Sequence, residues 1–118
     1  MLHTRKLGEL GERIAGTFLE IKGYEIVARN FRYAGREIDL IAKRGRLLVA
    51  VEVKLRRTDR FGLASEAIDS RKLGRIRIAL QGFISITRQS LVPRIDAVVI
   101  DLMETEGVMR ITHLEGIS

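Results

Sequence analysis

The sequence predicts an α/β (mixed α+β) domain in which one mixed sheet is flanked by helices. Two observations carry that expectation. Apolar residues recur with a helical period over residues 5–22 and again over 66–88, and the remaining stretches read as five strands, in the order α-β-β-β-α-β-β. A helix that interrupts a run of strands packs its apolar stripe on the sheet those strands form. The 118 residues, 46% hydrophobic and 31% charged with a single proline, suit one domain over 1–118. A chain of that length can bury a continuous core without disulfides.

The elements follow in order. Leu7, Leu10, Ile14 and Phe18 line one face of the first helix, with Thr4 as its N-cap and Gly23 as its stop. The period shortens from Tyr24 to Phe31, a strand that ends in a turn at Ala34-Gly35. Residues 37–42 and 46–54 form a hairpin around Arg44-Gly45, and 57–64 is a loop. In the second helical stretch Ile68, Ile76, Ala79, Leu80 and Phe83 make the buried face; Ser65 or Ser70 caps it, with room for a break near 70. Pro93 falls in a loop over 89–94. Ile95–Leu102 is an apolar strand, readable as a core strand or as an edge for a homodimer. A turn at Glu106-Gly107 leads into a last strand, 108–114.

Composition removes several classes of function. The absence of cysteine excludes disulfides and thiolate metal sites, and the two histidines, His3 and His113, stand near opposite ends. The charged N-terminal stretch lacks the apolar core of a signal peptide, and no apolar run reaches the ~18 residues of a membrane span, so the expected compartment is cytoplasmic, with no membrane partner. A net charge of +6 makes a polyanion the first partner to consider. With 5% aromatics the chain is poorly equipped to stack single-stranded bases, which leaves contacts to a nucleic-acid backbone.

The hairpin carries charges where a core strand is expected to be apolar. A two-residue turn at Arg44-Gly45 pairs Lys43 with Arg46, Asp39 with Ala50 and Glu37 with Glu52, placing Asp39, Leu48, Ala50, Glu52 and Lys54 on one face. Asp39 and Glu52 are then diagonal neighbours, roughly 7–8 Å apart at the backbone, a gap that two carboxylates can close around a divalent cation such as magnesium. Lys54 points the same way and can orient water or stabilise charge on a phosphate. The plain alternative is a solvated Glu52–Lys54 ion pair. Two features favour the metal site: Glu52 interrupts the apolar run 47–53, and Glu37, Asp39 and Glu52 crowd like charges that a cation would offset. Glu12 lies at the edge of the first helix's apolar face, between Gly8 and Gly16, and taken alone reads as surface.

In chain order, Gly8-Glu9-Leu10-Gly11-Glu12, Ala28-Arg29-Asn30-Phe31-Arg32, Glu37-Ile38-Asp39-Leu40-Ile41, Val51-Glu52-Val53-Lys54, Lys72 and Arg94-Ile95-Asp96 resemble the bacterial YraN family over residues 7–115. That family is distantly similar to archaeal Holliday-junction resolvases. The resemblance implies the restriction-endonuclease-like PD-(D/E)XK core and a site of Glu12, Asp39, Glu52 and Lys54. In it the acids hold Mg2+ or Mn2+ and the lysine assists attack of water on a phosphodiester. One position departs from the pattern: Arg36 stands where the family has glycine. Arg36 either reaches a phosphate or reshapes the strand entry.

Arg32 and Arg36 before the acidic strand, Arg56, Arg57 and Arg60 after Lys54, and Lys72 at the second helix are the candidate backbone contacts, Lys72 being the strongest; Arg94 with Asp96 reads as a structural pair. The expected function is that of a metal-dependent endonuclease on DNA, branched DNA included, directed by backbone or shape rather than by base sequence. The alternative is a nucleic-acid-binding module that keeps the fold without the chemistry.

Overall fold

The computed structural model describes residues 4–58 and 62–117; His3, Arg60 and the Thr4 side chain lie outside the description. Helix α1 spans Thr4–Ile21, followed by strands β1 (Glu25–Tyr33), β2 (Arg36–Arg44) and β3 (Leu47–Arg57), helix α2 (Leu73–Thr87), and strands β4 (Val92–Met103) and β5 (Val108–Leu114). The five strands lie side by side in chain order, antiparallel except for β3 and β4, which run parallel and are joined through α2. A parallel pair cannot be closed by a hairpin, and α2 supplies the crossover. The predicted element order and the α/β fold class hold. Among the described residues no helix is long and apolar enough to cross a membrane.

Alternation along the strands sends side chains to two cores. Leu40, Ala42, Val49, Val51, Val98 and Ile100 pack with Ala15 and Leu19 of α1, while Ile41, Leu48, Ala50 and Ile95 pack with Ile76, Ala79 and Leu80 of α2. The face of α1 is rotated from the predicted one. Gly11, Ala15 and Leu19 are its buried line, and Leu7, Leu10, Ile14 and Phe18 flank it half-buried. The close approach is made at Gly11, where an added Cβ would stand 3.1 Å from the Leu55 Cβ; Gly8 faces open space, and Gly16 abuts the Arg29 guanidinium. Small residues let the helix axis come near the sheet, so the bulkier apolar residues wedge in at the sides. Gly23, with φ 95°, ends α1 as predicted: Tyr24 N–H donates to Leu19 O and Gly23 N–H to Glu20 O, both at 3.0 Å, the paired bonds of a Schellman motif.

Several expectations are corrected. The β2–β3 turn is Gly45-Arg46, not Arg44-Gly45, because Arg44 itself pairs with Leu47. Gly45, with φ 61°, takes the positive-φ position, which an L side chain tolerates poorly. The register moves by two residues: Ala50 faces Ile41 rather than Asp39, and the parity of the pairing is kept as far as Leu40–Val51. Pro93 lies inside β4, opposite Leu48. It is tolerated because β5 pairs with β4 only from Ala97 onward, so no second strand asks for its missing N–H. Buried between β3 and β5, β4 is a core strand and offers no edge to a second copy. The stretch before α2 is two 3-10 turns, Ala64–Ala67 and Ser70–Lys72, and the capping side chain is Asp69, which accepts from Arg71 N–H at 3.0 Å, rather than Ser65 or Ser70.

Candidate metal centre and its surroundings

The β2–β3 ladder stops at Leu40–Val51. The next residues outward are Asp39 and Glu52, directly across from each other instead of diagonal. Asp39 takes up the freed backbone position with its side chain: Val53 N–H donates to Asp39 Oδ2 at 2.8 Å. Ile38 belongs to the α2-side core and Leu40 to the α1-side core, so the strand rotates at Asp39. Across the β1–β2 pair, Asn30 departs from strand geometry at φ 48°. Beyond the end of the β2–β3 ladder lies a cleft of about 470 Å³.

Glu12, Asp39, Glu52, Lys54, Asp69 and Lys72 line that cleft. Glu12 reaches in from α1, held by Asn30 Nδ2, which donates to both of its carboxylate oxygens at 3.1 and 3.2 Å. Lys72, at the head of α2, places Nζ 3.2 Å from Glu52 Oε2. Lys54 is exposed on the rim and makes no ion pair among the described residues. All four residues proposed from the hairpin and the resemblance thus converge on one cavity.

The electrostatics are those of a site short of positive charge. Burial lifts the Asp39 carboxyl to about 8, helped by its hydrogen bond to Glu52 and by the charge of Glu52, with the Val53 N–H opposing. A hydrogen bond between two carboxyls requires that one keep its proton. Glu12 is also raised, by burial and then by the charge of Glu37, against the bonds from Asn30. Lys72 is raised by the Glu52 carboxylate. Three carboxylates with room between them present hard oxygen donors, the donor set of magnesium and manganese. The chemistry of the donors fits such an ion, which Asp39 and Glu52 would hold, with Glu12 lining the same cleft.

The arginines are placed less uniformly. Arg36 is half-buried outside the cleft, Nη1 donating to Ala34 O at 2.9 Å, so it braces its own turn. Arg56 is bound to the buried Asp101 and donates to Leu63 O. Arg57 pairs with Glu104 at 2.6 Å and Arg32 with Glu37 at 3.8 Å. Among the described candidate phosphate contacts, only Lys72 lines the acidic cleft. Sequence reasoning missed Asn30 and Asp69. Asn30 had a faint signal, an asparagine inside a strand, a residue type that tolerates the positive φ found there.

A second group of potential ligands, Asp96, His113 and Glu115, clusters on β4 and at the end of β5. Arg94 already grips both Asp96 oxygens at 2.8 Å, His113 Nε2 lies 2.7 Å from Asp96 Oδ2, and Lys22 Nζ lies 2.7 Å from His113 Nδ1. With two cations in place, this cluster has no need of a third.

The model of the uncharacterised protein family UPF0102 matches residues 11–100. The chain belongs to that family. It is 40% identical to a UPF0102 protein of Beutenbergia cavernae over 94% of both chains. It is 42% identical to one of Renibacterium salmoninarum over 95% of both, and 36% identical to one of Syntrophomonas wolfei over 93% of this chain and 95% of that one. The matched span contains Glu12, Asp39, Glu52, Lys54 and Lys72.

Proposed function

We propose that this UPF0102 protein is a metal-dependent endonuclease that hydrolyses phosphodiester bonds of DNA, branched DNA among its substrates, through contacts to backbone and shape. The supporting observation is the convergence of Glu12, Asp39 and Glu52 with two lysines where β2 and β3 part. Asp39 and Glu52 would hold magnesium or manganese, with Glu12 a further or water-mediated ligand. The ion would supply Lewis-acid stabilisation of the charge that develops on the phosphate. Lys54, unpaired on the rim, orients the attacking water or meets the phosphate oxygens. Asn30 keeps Glu12 aimed inward. A module that only bound nucleic acid would leave the acidic crowding without purpose, since carboxylates repel a phosphate backbone unless a cation stands between them.

The test is cleavage of labelled four-way, flap and linear duplex DNA by wild type and Asp39→Ala in magnesium or manganese. Metal-dependent product is expected from wild type, lowered about 10³-fold or more in the variant, since a metal centre supplies several kcal/mol at the transition state. Binding that survives EDTA without product from any substrate would favour the binding module.

A further inference from the structure

The Lys72–Glu52 contact joins two cavities. Asp39, Glu52 and Lys72 line the main cleft and also a neighbouring cavity of about 260 Å³ that reaches Arg75 and Gly35. The ammonium therefore sits within the acidic cluster, at the partition between the two spaces. Two lysines line the main cleft, but only one occupies a proposed ligand atom: Lys72 Nζ is 3.2 Å from Glu52 Oε2, while Lys54 contacts none of the acids.

The backbone explains why the lysine on α2 takes that place. Asp69 caps the 3-10 turn Ser70–Lys72 through Arg71 N–H and binds the Arg71 guanidinium at 3.1 Å, turning Arg71 away from the site. Lys72 is left at the junction with α2, facing the Glu52 carboxylate. Glu52 is largely covered, its side chain 17% exposed, whereas the Lys72 side chain is 59% exposed and free to swing outward. The carboxylate is the fixed partner and the ammonium the movable one.

We propose that Lys72 is a built-in counter-cation: its ammonium occupies Glu52 in the metal-free protein and must leave for a divalent cation to bind there. This rests on the reading of Asp39 and Glu52 as metal ligands, and it assigns Lys72 a role before any substrate arrives. Lys72 is in this sense a positioning residue, keeping the acidic pair compatible with a folded site until the ion replaces it. Entry of the ion releases the ammonium toward the second cavity.

Manganese binding to the metal-free full-length protein, followed by calorimetry and by the electron paramagnetic resonance signal of the free ion, tests this without reference to cleavage. Lys72→Met is expected to bind manganese about three- to fivefold more tightly than wild type, the scale of a part-exposed ion pair. Lys72→Arg, which restores the charge, should return to wild-type affinity, and Lys54→Met should change it less than Lys72→Met. Unchanged or weaker binding by Lys72→Met would overturn the proposal. So would an equal gain from Lys54→Met, which would mean a general field effect. Asp39→Ala separates the two readings: binding lost in this variant with no gain in Lys72→Met defeats the counter-cation alone. Binding absent from every protein, or unaffected by Asp39→Ala, defeats the metal site and the counter-cation together.

Discussion

Asp39 and Asp96 are the same residue type on adjacent parts of one sheet, both withdrawn from water, and their surroundings drive them in opposite directions. Asp96 is fully buried, and burial alone would raise it. His113, the Arg94 guanidinium and the Gly116 N–H reverse that and hold it at about 2. Asp101 repeats the pattern, buried but lowered by Arg56 and Arg110. Asp39 has a single N–H and two neighbouring acids, and rises to about 8. The contrast separates carboxylates whose partners come from the chain from a carboxylate that, on the proposed function, takes its partner from outside.

Removing each acid should show the difference most strongly. Asp96→Ala leaves Arg94 without its buried partner and is expected to cost about 3–5 kcal/mol in urea unfolding. Asp39→Asn relieves like-charge crowding and should be neutral or stabilising by up to about 1 kcal/mol in EDTA. A destabilised Asp39→Asn would mean that the acid serves the fold.

The pH dependence should also differ in sign. Asp96, lowered in the folded state, contributes stability above its unfolded value near 3.8 and loses it as pH falls toward 2. Asp39, raised in the folded state, contributes most below its unfolded value and loses it as pH climbs through about 8. Metal-free protein should therefore lose stability on the alkaline side, and magnesium should restore it. Asp39→Asn should flatten that limb only. Manganese affinity should rise with pH up to about 8, because the ion competes with the proton the acids share.

A narrower test is at Asn30. Asn30→Ala removes both bonds that aim Glu12 and should weaken manganese binding about tenfold, in the range seen for residues that orient a ligand. No change in affinity would place Glu12 outside the ion's reach.

Much of this was written in the chain itself. Helical and strand periods, with glycines at the turns, set the element order, because those patterns are local. The convergence of Asp39, Glu52 and Lys54 was also legible in the hairpin, although the rotation of β2 at Asp39 was not. Glu12 required the resemblance, for nothing near it in sequence says what its helix will face. Only the tertiary structure decided that α1 seats Gly11 on Leu55 and so carries Glu12 to Asp39. It alone showed that the β2–β3 ladder stops one step short of the acids. It also decided which cations were already taken: Arg56 by Asp101, Arg36 by its own turn, Lys72 by Glu52. The physical reason is that periodicity is a property of neighbours in sequence, whereas the partner of a buried charge is chosen among residues that meet only once the sheet and helices have packed.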